Sequence, residues 1–361
     1  SVAVLQGLMK RNPKASPKMV EDLIWGATNQ IAEQGGTIGR MISMLADWGW
    51  EVPGCSVDRM CAGGLTAVGF GVSYIASGMA DCLVAGGVEH MGHLPMGYMR
   101  DSHPGAEAAM GGASAFNMGM TAENIHDLCP ELTKEMTDAY AVASQHKTQQ
   151  AVAAGKMVDM IIPMEVELAD GTKIIADKDQ HPRPETTMES LKKLKTPFRE
   201  NGRVTAGNAS GLNDGAAAVL LMNGKKAKEV GMAPTMRWIS TAVAGVDPKI
   251  MGTAPVPATL KALDKAGLTM DDMDIIEVNE AFAIQALYDL DRLGLKADDP
   301  RVNIWGGAIA YGHPLASSGP RLIAFMQRLF KEKPTAKYGL TTMCVGRGQG
   351  YSMIWENLNR Q

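Results

Sequence analysis

Two stretches of this chain run from an apolar segment directly into a glycine-rich turn, and they constrain the fold more than any other feature. They are DCLVAGGVEHM at residues 81–91 and LTTMCVGRGQG at residues 340–350. Apolar runs that end at glycines are typical of strands buried within a sheet. Because the two runs stand far apart in the chain and share this texture, they indicate two related halves.

The sequence around these runs alternates between strand and helix patterns. A strand is predicted over residues 55–60 with a helix over 61–80, and a second strand over 274–279 with a helix over 280–294. Residues 91–208 differ, because they are polar, charged and rich in proline, as an inserted segment would be. At 361 residues the chain also exceeds the size of one hydrophobic core. We therefore expect an α/β protein with an insertion.

Composition excludes several classes of protein. A net charge of -4 with 20% charged residues offers no basic surface for nucleic acid. The apolar stretch 61–80 is rich in glycine and is followed by Asp81, so it predicts a buried helix rather than a transmembrane segment. Five scattered cysteines without CxxC pairs predict a reducing compartment and no metal site. The chain starts without Met within a predicted helix, so we expect an N-terminal segment, with any targeting signal, to be missing.

Cys61 is the first candidate for chemistry, because it stands where a strand ends and a helix begins. The free N–H groups of a helix N-terminus favour a thiolate and lower the pKa of a cysteine below its usual value of about 8.5. Gly63 and Gly64 are expected to leave room for a substrate. An inert cysteine in the core fits the position equally well, since free cysteines are commonly buried.

Three further residues stand in similar settings. His313 lies in the glycine-rich stretch GGAIAYGHPLASSG, residues 306–319, which is expected to form a loop that presents its imidazole. It could act as a base for a thiol or as a hydrogen-bond donor to an oxyanion. The alternative is a histidine in a surface loop without a catalytic role. Cys344 directly precedes a glycine turn, where a thiol can exchange a proton. Asn279 opens NEAFA after a strand; the alternative is a helix-capping Asn followed by a first-turn Glu280.

Together the motifs resemble the thiolase family over essentially the whole chain. In order they are VDRMCAGG, GGVEHM, MTAEN, VTAGNASGLNDGAAA, GVDPKIMG, NEAFA, GGAIAYGHPLASSG and CVGRGQG. The resemblance implies two similar five-stranded α/β halves, packed as αβαβα layers, with a loop domain inserted in the first. The implied boundaries are 1–92 with 212–233 for an N-terminal half lacking its first strand, 93–211 for the loop domain, and 234–361 for the C-terminal half.

The same resemblance implies roles for individual residues. Cys61 is the nucleophile, His313 assists it, and Cys344 is the acid and base. The family's first oxyanion site pairs His313 with a water held by Asn279, and its second uses the N–H groups of Cys61 and Gly346. The residues implied to contact the substrate are Ser210 and Ala206 along the pantetheine arm, with Met118, Ala281 and Phe282 as further neighbours.

The implied reaction is thiolysis of a 3-ketoacyl-CoA in fatty-acid β-oxidation. Asn117, where many biosynthetic thiolases have His, and the segment GGVEHMGHLPM favour this degradative type. The alternatives are an acetyl-CoA acetyltransferase that forms acetoacetyl-CoA, a decarboxylating ketoacyl synthase, against which Cys344 argues, and an inactive scaffold subunit.

The resemblance also bears on ligands, partners and location. Coenzyme A is expected as co-substrate, with no tightly bound cofactor. The expected assembly is a homodimer or dimer of dimers, with a hydratase/dehydrogenase subunit as a candidate partner, and the expected location is cytoplasmic. The sequence departs from the family at Gly63, where a Ser is usual, and at Arg347, where the family's CIGGGQG has glycine.

Overall fold

The computed structural model describes residues 1–98 and 102–360, in which strands and helices alternate. The strands are β1 (Leu23–Gly26), β2 (Cys55–Val57), β3 (Cys82–His90), β4 (Met164–Glu167), β5 (Lys173–Ala176), β6 (Asp214–Met222), β7 (Met236–Gly245), β8 (Met273–Val278), β9 (Tyr338–Val345) and β10 (Gln349–Asn357). The helices are α1 (Val2–Arg11), α2 (Ile38–Leu45), α3 (Gly63–Ser77), α4 (Pro104–Ala109), α5 (Ala113–Phe116), α6 (Met118–Leu128), α7 (Lys134–Ala153), α8 (Met188–Lys192), α9 (Gly224–Glu229), α10 (Pro255–Ala266), α11 (Ala283–Arg292), α12 (Ala308–Tyr311) and α13 (Leu315–Glu332).

The N-terminal sheet has the strand order β2-β1-β3-β6. β1 pairs in parallel with β2 on one side and β3 on the other. β6 returns antiparallel along the whole of β3, with a register from Cys82 opposite Met222 to His90 opposite Asp214. The segment 91–213 therefore separates two neighbouring strands of one sheet.

The C-terminal sheet repeats this arrangement. β8 is parallel to β9, and β9 is antiparallel to β10, as β1, β3 and β6 are in the first sheet. β10 also pairs antiparallel with β7. The two related halves expected from the glycine-ended strands are thus present, with DCLVAGGVEHM and LTTMCV on the equivalent strands β3 and β9.

Each main sheet has four strands among the described residues, where the resemblance implied five. In the C-terminal half the fifth position is reduced to one parallel bridge between Ile276 and Val302. The chain turns away immediately afterwards, since Asn303 has a φ of 43°. In the N-terminal half, no described strand pairs with the outer edge of β6, whereas the equivalent strand β10 pairs with β7.

Helices and sheets form five layers, which confirms the αβαβα expectation. α1 and α2 pack on the outer face of the first sheet, α3 and α13 lie between the sheets, and α10 covers the second. Side chains alternate across each strand. In β1, Leu23 and Trp25 lie in the hydrophobic core on the outer face of the first sheet, and Ile24 lies in the core between the two sheets. In β9, Met343 lies in the core between the sheets and Cys344 in the core on the other face of the second sheet.

The apolar stretch after Cys61 forms α3, within the predicted range 61–80. With the preceding turn it is long and apolar enough to cross a membrane, as residues 60–77. It packs instead against α13, β1 and β3, and Leu65 and Val68 are fully buried in the central core. A buried helix, as predicted, therefore explains its composition.

The insertion carries α4 to α8 and the hairpin β4-β5. Residues 99–101 of the predicted loop domain lie outside the described residues. α6 and α7 pack against α11 of the C-terminal half. The buried Glu123 of α6 accepts hydrogen bonds from the backbone N–H groups of Arg203 and Val204, at 2.8 Å each. The insertion is thus fastened to the segment that returns to β6.

Candidate active site

Cys61 lies in a 3-10 turn, Met60–Ala62, which α3 continues. Met60 has a φ of 46°, and its N–H is held by the Asp58 carboxylate at 2.7 Å. Arg59 donates to Gln349 in β10 at 3.1 Å, which ties this turn to the other half of the chain. The sharp turn thus presents the Cys61 side chain, which is partly exposed, at the junction of the halves.

The pKa of Cys61 is shifted upward, whereas its position at the start of a helix predicts a downward shift. Burial raises it to about 11, and the charges of Glu89 and Asp58 act in the same direction. A hydrogen bond from the backbone N–H of Gly346 opposes this increase without overcoming it. The expectation of a resting thiolate is therefore corrected, because loss of water outweighs the helix N-terminus. Cys61 is therefore a thiol at neutral pH, and a base would be needed to make it a nucleophile.

Close packing is a second reason for glycine at positions 63 and 64, besides the room for a substrate that the sequence suggests. A Cβ on Gly64 would lie 2.2 Å from the carbonyl oxygen of Ala316, and one on Gly63 would lie 3.0 Å from the Ala316 Cβ. Both glycines are buried. They allow the start of α3 to pack closely against the first turn of α13, which follows His313. Their role is to bring Cys61 close to that turn.

His313 is held in the interior between α12 and α13. Its ring is buried, with Nδ1 at 2.7 Å from the hydroxyl of Ser318 and Nε2 at 3.3 Å from the side-chain amide nitrogen of Asn279. Burial, with a further contribution from Arg321, lowers the pKa of His313 to about 3. The ring is therefore neutral at pH 7, which excludes the surface-loop alternative and makes His313 a base.

These contacts define the tautomer of His313. An amide nitrogen can only donate, so Asn279 donates to Nε2 and His313 Nδ1 carries the proton and donates to Ser318. Nε2 is then unprotonated, and it can take a proton when its hydrogen bond from Asn279 is given up. Asn279 follows β8 directly and donates its backbone N–H to Thr342 in β9 at 2.9 Å, which fixes its position beside His313.

Cys344 lies near the end of β9 and is fully buried. Burial raises the pKa of its thiol well above the usual value, and the neighbouring Cys61 is the next contributor. β9 then turns through Gly346, whose N–H points at Cys61, and Arg347, which has a φ of 66°. The structure thus brings both cysteines and the Gly346 N–H to one place.

The predicted substrate contacts fall into two groups. Ser210 donates its N–H to the carbonyl of Ala281 at 2.9 Å, and Phe282 forms a bridge with Ala209 beside it. Met118 lies on another side, against Gly346. Ala206 is exposed at the surface, three residues before this bridge. Ser210, Ala281 and Phe282 therefore form one strip that starts two residues from Asn279.

Two functional side chains were missed from the sequence. Ser318, which orients His313, is fully buried five residues after it, and a hydroxyl in the first turn of the helix after HPLAS was the available signal. The sequence offered Glu280 as a first-turn residue of a helix, but α11 starts only at Ala283 and Glu280 is buried. Glu280 accepts from Ser144 and Asn303 at 2.7 Å each, so it anchors the Asn279 turn to α7.

A groove of about 1720 Å³ lies elsewhere. It runs along α1, β6 and β7, and its lining includes neither Cys61 nor Cys344. Its walls are the free edge of β6 and the neighbouring apolar surface. The candidate active site is therefore defined by converging side chains at strand ends, where α/β proteins commonly carry out chemistry, and not by the size of the cavity.

Comparison with known proteins gives a consistent result. The family model described as "Thiolase, N-terminal domain" matches residues 1–225, and "Thiolase, C-terminal domain" matches residues 232–357. The 3-ketoacyl-CoA thiolase of Idiomarina loihiensis is 44% identical over 362 residues, which cover 99% of this chain and 92% of that protein. The 3-ketoacyl-CoA thiolase of a Marinomonas species is 45% identical, with 99% and 91% covered.

A solved structure extends the match to three dimensions. The crystal structure of the Bacillus anthracis acetyl-CoA acetyltransferase superimposes with a TM-score of 0.88 at 34% identity, covering 99% of this chain and 92% of that one.

Proposed function

This chain belongs to the thiolase family, and from that premise we propose that it cleaves 3-ketoacyl-CoA with CoA, giving acetyl-CoA and an acyl-CoA shortened by two carbons. One observation carries the proposal. Two pairs of groups lie at the ends of neighbouring strands: Cys61 neighbours Cys344, and His313 contacts Asn279, whose backbone N–H bonds Thr342 two residues before Cys344. This is the set that an acyl transfer combined with a carbon-bound proton transfer requires.

In the first step we assign nucleophilic attack to Cys61. Its thiol gives its proton to Nε2 of His313, which the hydrogen bond from Nδ1 to Ser318 leaves unprotonated. The sulfur then attacks C3 of the 3-ketoacyl group. When the tetrahedral intermediate collapses, the C2–C3 bond breaks, the acyl group stays on Cys61, and the electron pair remains on C2 as the enolate of acetyl-CoA.

Cys344 supplies the proton that this enolate needs. A thiol whose pKa is raised by burial is protonated at neutral pH and is therefore poised to donate to C2. The resulting thiolate regains its proton from the incoming CoA. The CoA sulfur attacks the acyl group on Cys61, the Cys61 thioester bond breaks, and His313 returns the proton to Cys61. The cycle leaves the enzyme unchanged.

Two sites would stabilise the oxyanions. The side chains of His313 and Asn279 would serve the enolate oxygen. The side-chain amide oxygen Oδ1 of Asn279 has no hydrogen-bond partner among the described residues, which leaves it available to hold a water. The N–H groups of Cys61 and Gly346 would serve the tetrahedral oxygen. Loss of one such donor typically costs on the order of 3 kcal/mol of barrier.

The remaining assignments concern substrate and organisation. Ser210, Ala281 and Phe282 would line the pantetheine arm, with Met118 on the acyl side and Ala206 at the outer end. CoA acts as co-substrate, and no tightly bound cofactor is required by these steps. We also propose that the chain divides into 1–92 with 212–233, 93–211 and 234–361. We further propose a homodimer or dimer of dimers, a hydratase/dehydrogenase partner and a cytoplasmic location.

The chief alternative is an acetyl-CoA acetyltransferase, and it is favoured by one observation, the structural similarity to the Bacillus anthracis acetyl-CoA acetyltransferase. The 3-ketoacyl-CoA thiolases are closer in sequence, at 44–45% against 34% identity. An inactive scaffold subunit is disfavoured by the retained cysteines and histidine, and a ketoacyl synthase by Cys344.

The test is CoA-dependent cleavage of acetoacetyl-CoA and a series of longer 3-ketoacyl-CoAs, followed by loss of the enolate absorbance. We expect the wild type and Cys55→Ser to cleave the longer substrates and Cys61→Ser to cleave none. Activity confined to acetoacetyl-CoA would favour the acetyltransferase. Absence of CoA-dependent loss in the wild type would exclude the enzyme and leave the scaffold.

A further inference from the structure

We propose that Glu33, His90 and His93 form a binding site for a divalent transition-metal ion of the zinc class on the surface of the N-terminal half. The three side chains come from the 3-10 turn Ala32–Gln34, the end of β3 and the turn that follows it. Their potential ligand atoms all lie within 4.8 Å of one another. Two imidazoles and one carboxylate are a common protein ligand set for zinc.

The arrangement of the three side chains is convergent. One carboxylate oxygen of Glu33, Oε1, lies 2.7 Å from Nδ1 of His90 and 2.6 Å from Nδ1 of His93. Both Nδ1 atoms therefore face the same carboxylate oxygen, and the ring centroids are 5.5 Å apart with planes inclined at 49°. A metal bound among these atoms requires Oε1 to withdraw, so that the N–O distances open to the roughly 3.3 Å that bond lengths of about 2.0–2.2 Å impose in a tetrahedral site.

The charges suit a cation. Glu33 supplies a carboxylate, which is negative when ionised, and the two imidazoles supply lone pairs. The metal would replace the two protons now shared with Glu33, and each ring would carry its proton on Nε2 instead. The side chains remain exposed, at 44% for His90 and 66% for His93, so water can complete the coordination.

Neighbouring groups hold this cluster in place. Asp214 accepts the N–H of Gly92 at 2.8 Å and lies 4.0 Å from Nε2 of His90, where it can accept the relocated proton. A carboxylate behind a ligating imidazole is a frequent feature of metal sites. The side chain of the buried Gln34 accepts a hydrogen bond from the N–H of His90 at 2.5 Å and donates one to the carboxylate of Glu89 at 2.9 Å. The turn that carries Glu33 is therefore fixed relative to β3.

This site departs from the expectation of no metal in the chain. Glu33 stands 57 residues before His90 in the sequence, so no motif connects them. The cluster is also separate from the active site, whose Cys61, Cys344 and His313 are themselves able to bind thiophilic metals. Cys344 and His313 are buried, so a test first has to block Cys61.

The experiment uses the full chain with Cys61 blocked by iodoacetamide. Zinc and cobalt(II) are titrated by calorimetry, and cobalt coordination is followed by visible absorption. We expect one saturable ion per chain. His93→Ala and Glu33→Gln are expected to weaken binding at least about tenfold, while His146→Ala, an exposed histidine on α7, leaves it unchanged.

A second measurement separates folding defects from loss of the ion. Because the ion binds the folded chain, saturating zinc is expected to raise the unfolding temperature of the wild type and His146→Ala but not of His93→Ala. Without metal, the three proteins should unfold at closely similar temperatures. The proposal is overturned if the blocked wild type shows no saturable binding, or if His93→Ala and Glu33→Gln bind zinc as tightly as the wild type does.

Discussion

Cys61 and Cys344 occupy unlike places in two halves that share one strand arrangement. Cys61 follows β2 in a turn at the start of α3 and is partly exposed, whereas Cys344 is inside β9 and fully buried. Both thiols have a pKa raised by burial. Both are therefore uncharged thiols at rest. They differ in their exposure to solvent and in the residues that surround them.

That difference explains how one chain separates two kinds of chemistry. In the proposed mechanism the half-buried Cys61 is the thiol that the thioester reaches and that passes its proton to His313, which suits covalent attack. Cys344 is reached only by an atom already bound beside Cys61, so it suits proton transfer to carbon. The half that supplies the nucleophile thus contributes one group, and the other half supplies the rest.

The largest effect should come from removing the covalent step. Cys61→Ala is expected to lower thiolysis of a 3-ketoacyl-CoA by at least about 10⁴-fold and to abolish exchange of labelled CoA into acyl-CoA, because both reactions pass through acyl-Cys61. Thiolysis is measured by absorbance and exchange by scintillation counting. Cys55→Ser, another partly exposed cysteine, is the control and should retain both reactions.

Cys344→Ala separates the two cysteines. It is expected to lower thiolysis by about 10²–10⁴-fold, because the enolate lacks its proton donor, while CoA exchange stays within about tenfold, because thiols ionise in water unaided. Equal loss of both reactions would show that Cys344 also takes part in acyl transfer. The comparison between the two cysteines would then fail.

Much of this site was predictable from the sequence because its groups stand at strand ends. Cys61, Asn279 and Cys344 each follow or end a run with strand periodicity, and such runs are recognisable. The fold class followed from the same pattern and from the family motifs. The αβαβα layers, the insertion and the buried helix α3 are all confirmed by the structure.

The errors have a common physical cause. The pKa of Cys61, the burial of Glu280 and the packing of Gly64 on Ala316 all depend on contacts between distant segments, which local patterns do not contain. The fifth strand of the C-terminal half was likewise lost to a local turn at Asn303. Glu33 and His90 show the same limit, since only the folded turn brings them together.

The pH dependence of alkylation tests the charge state of Cys61. With a pKa of about 11, the thiolate fraction rises about tenfold per pH unit between pH 7 and 10. The rate of Cys61 modification by iodoacetamide, read by peptide mass spectrometry, should therefore rise without a plateau in that range. Cys61 should react before the buried Cys82 and Cys129, and bound acyl substrate should protect it.

A plateau below pH 8 would show a stabilised thiolate. Cys61 would then differ from Cys344 in charge as well as in access, and the helix N-terminus would outweigh burial after all.

The hydroxyl of Ser318 should have a smaller effect. Ser318→Ala removes the acceptor that fixes the His313 tautomer, and we expect kcat to fall about 10- to 100-fold with KM nearly unchanged. Ser317→Ala is the matched control, because its hydroxyl donates only to the carbonyl of Pro314. A rise in KM equal to the loss of rate would indicate a general packing defect instead of a positioning role.

The smallest effect concerns the backbone beside the two cysteines. Met60, before Cys61, and Arg347, after Gly346, both have positive φ, at 46° and 66°. The Arg347 guanidinium lies 5.7 Å from the ring centre of Phe116, a contact that both Arg347→Ala and Arg347→Gly remove. Only glycine relieves the left-handed conformation, so we expect Arg347→Gly to exceed Arg347→Ala in unfolding free energy by about 0.5–1 kcal/mol.

Denaturant titration measures this difference, and Lys225 on α9 provides the reverse case. In a helix glycine is less favourable than alanine by about 1 kcal/mol, so Lys225→Gly should be less stable than Lys225→Ala. If the order at Arg347 matched the order at Lys225, the left-handed turn would carry no strain. The positive φ of Arg347 would then have no measurable cost, and the turns beside Cys61 and Cys344 would have to be explained separately.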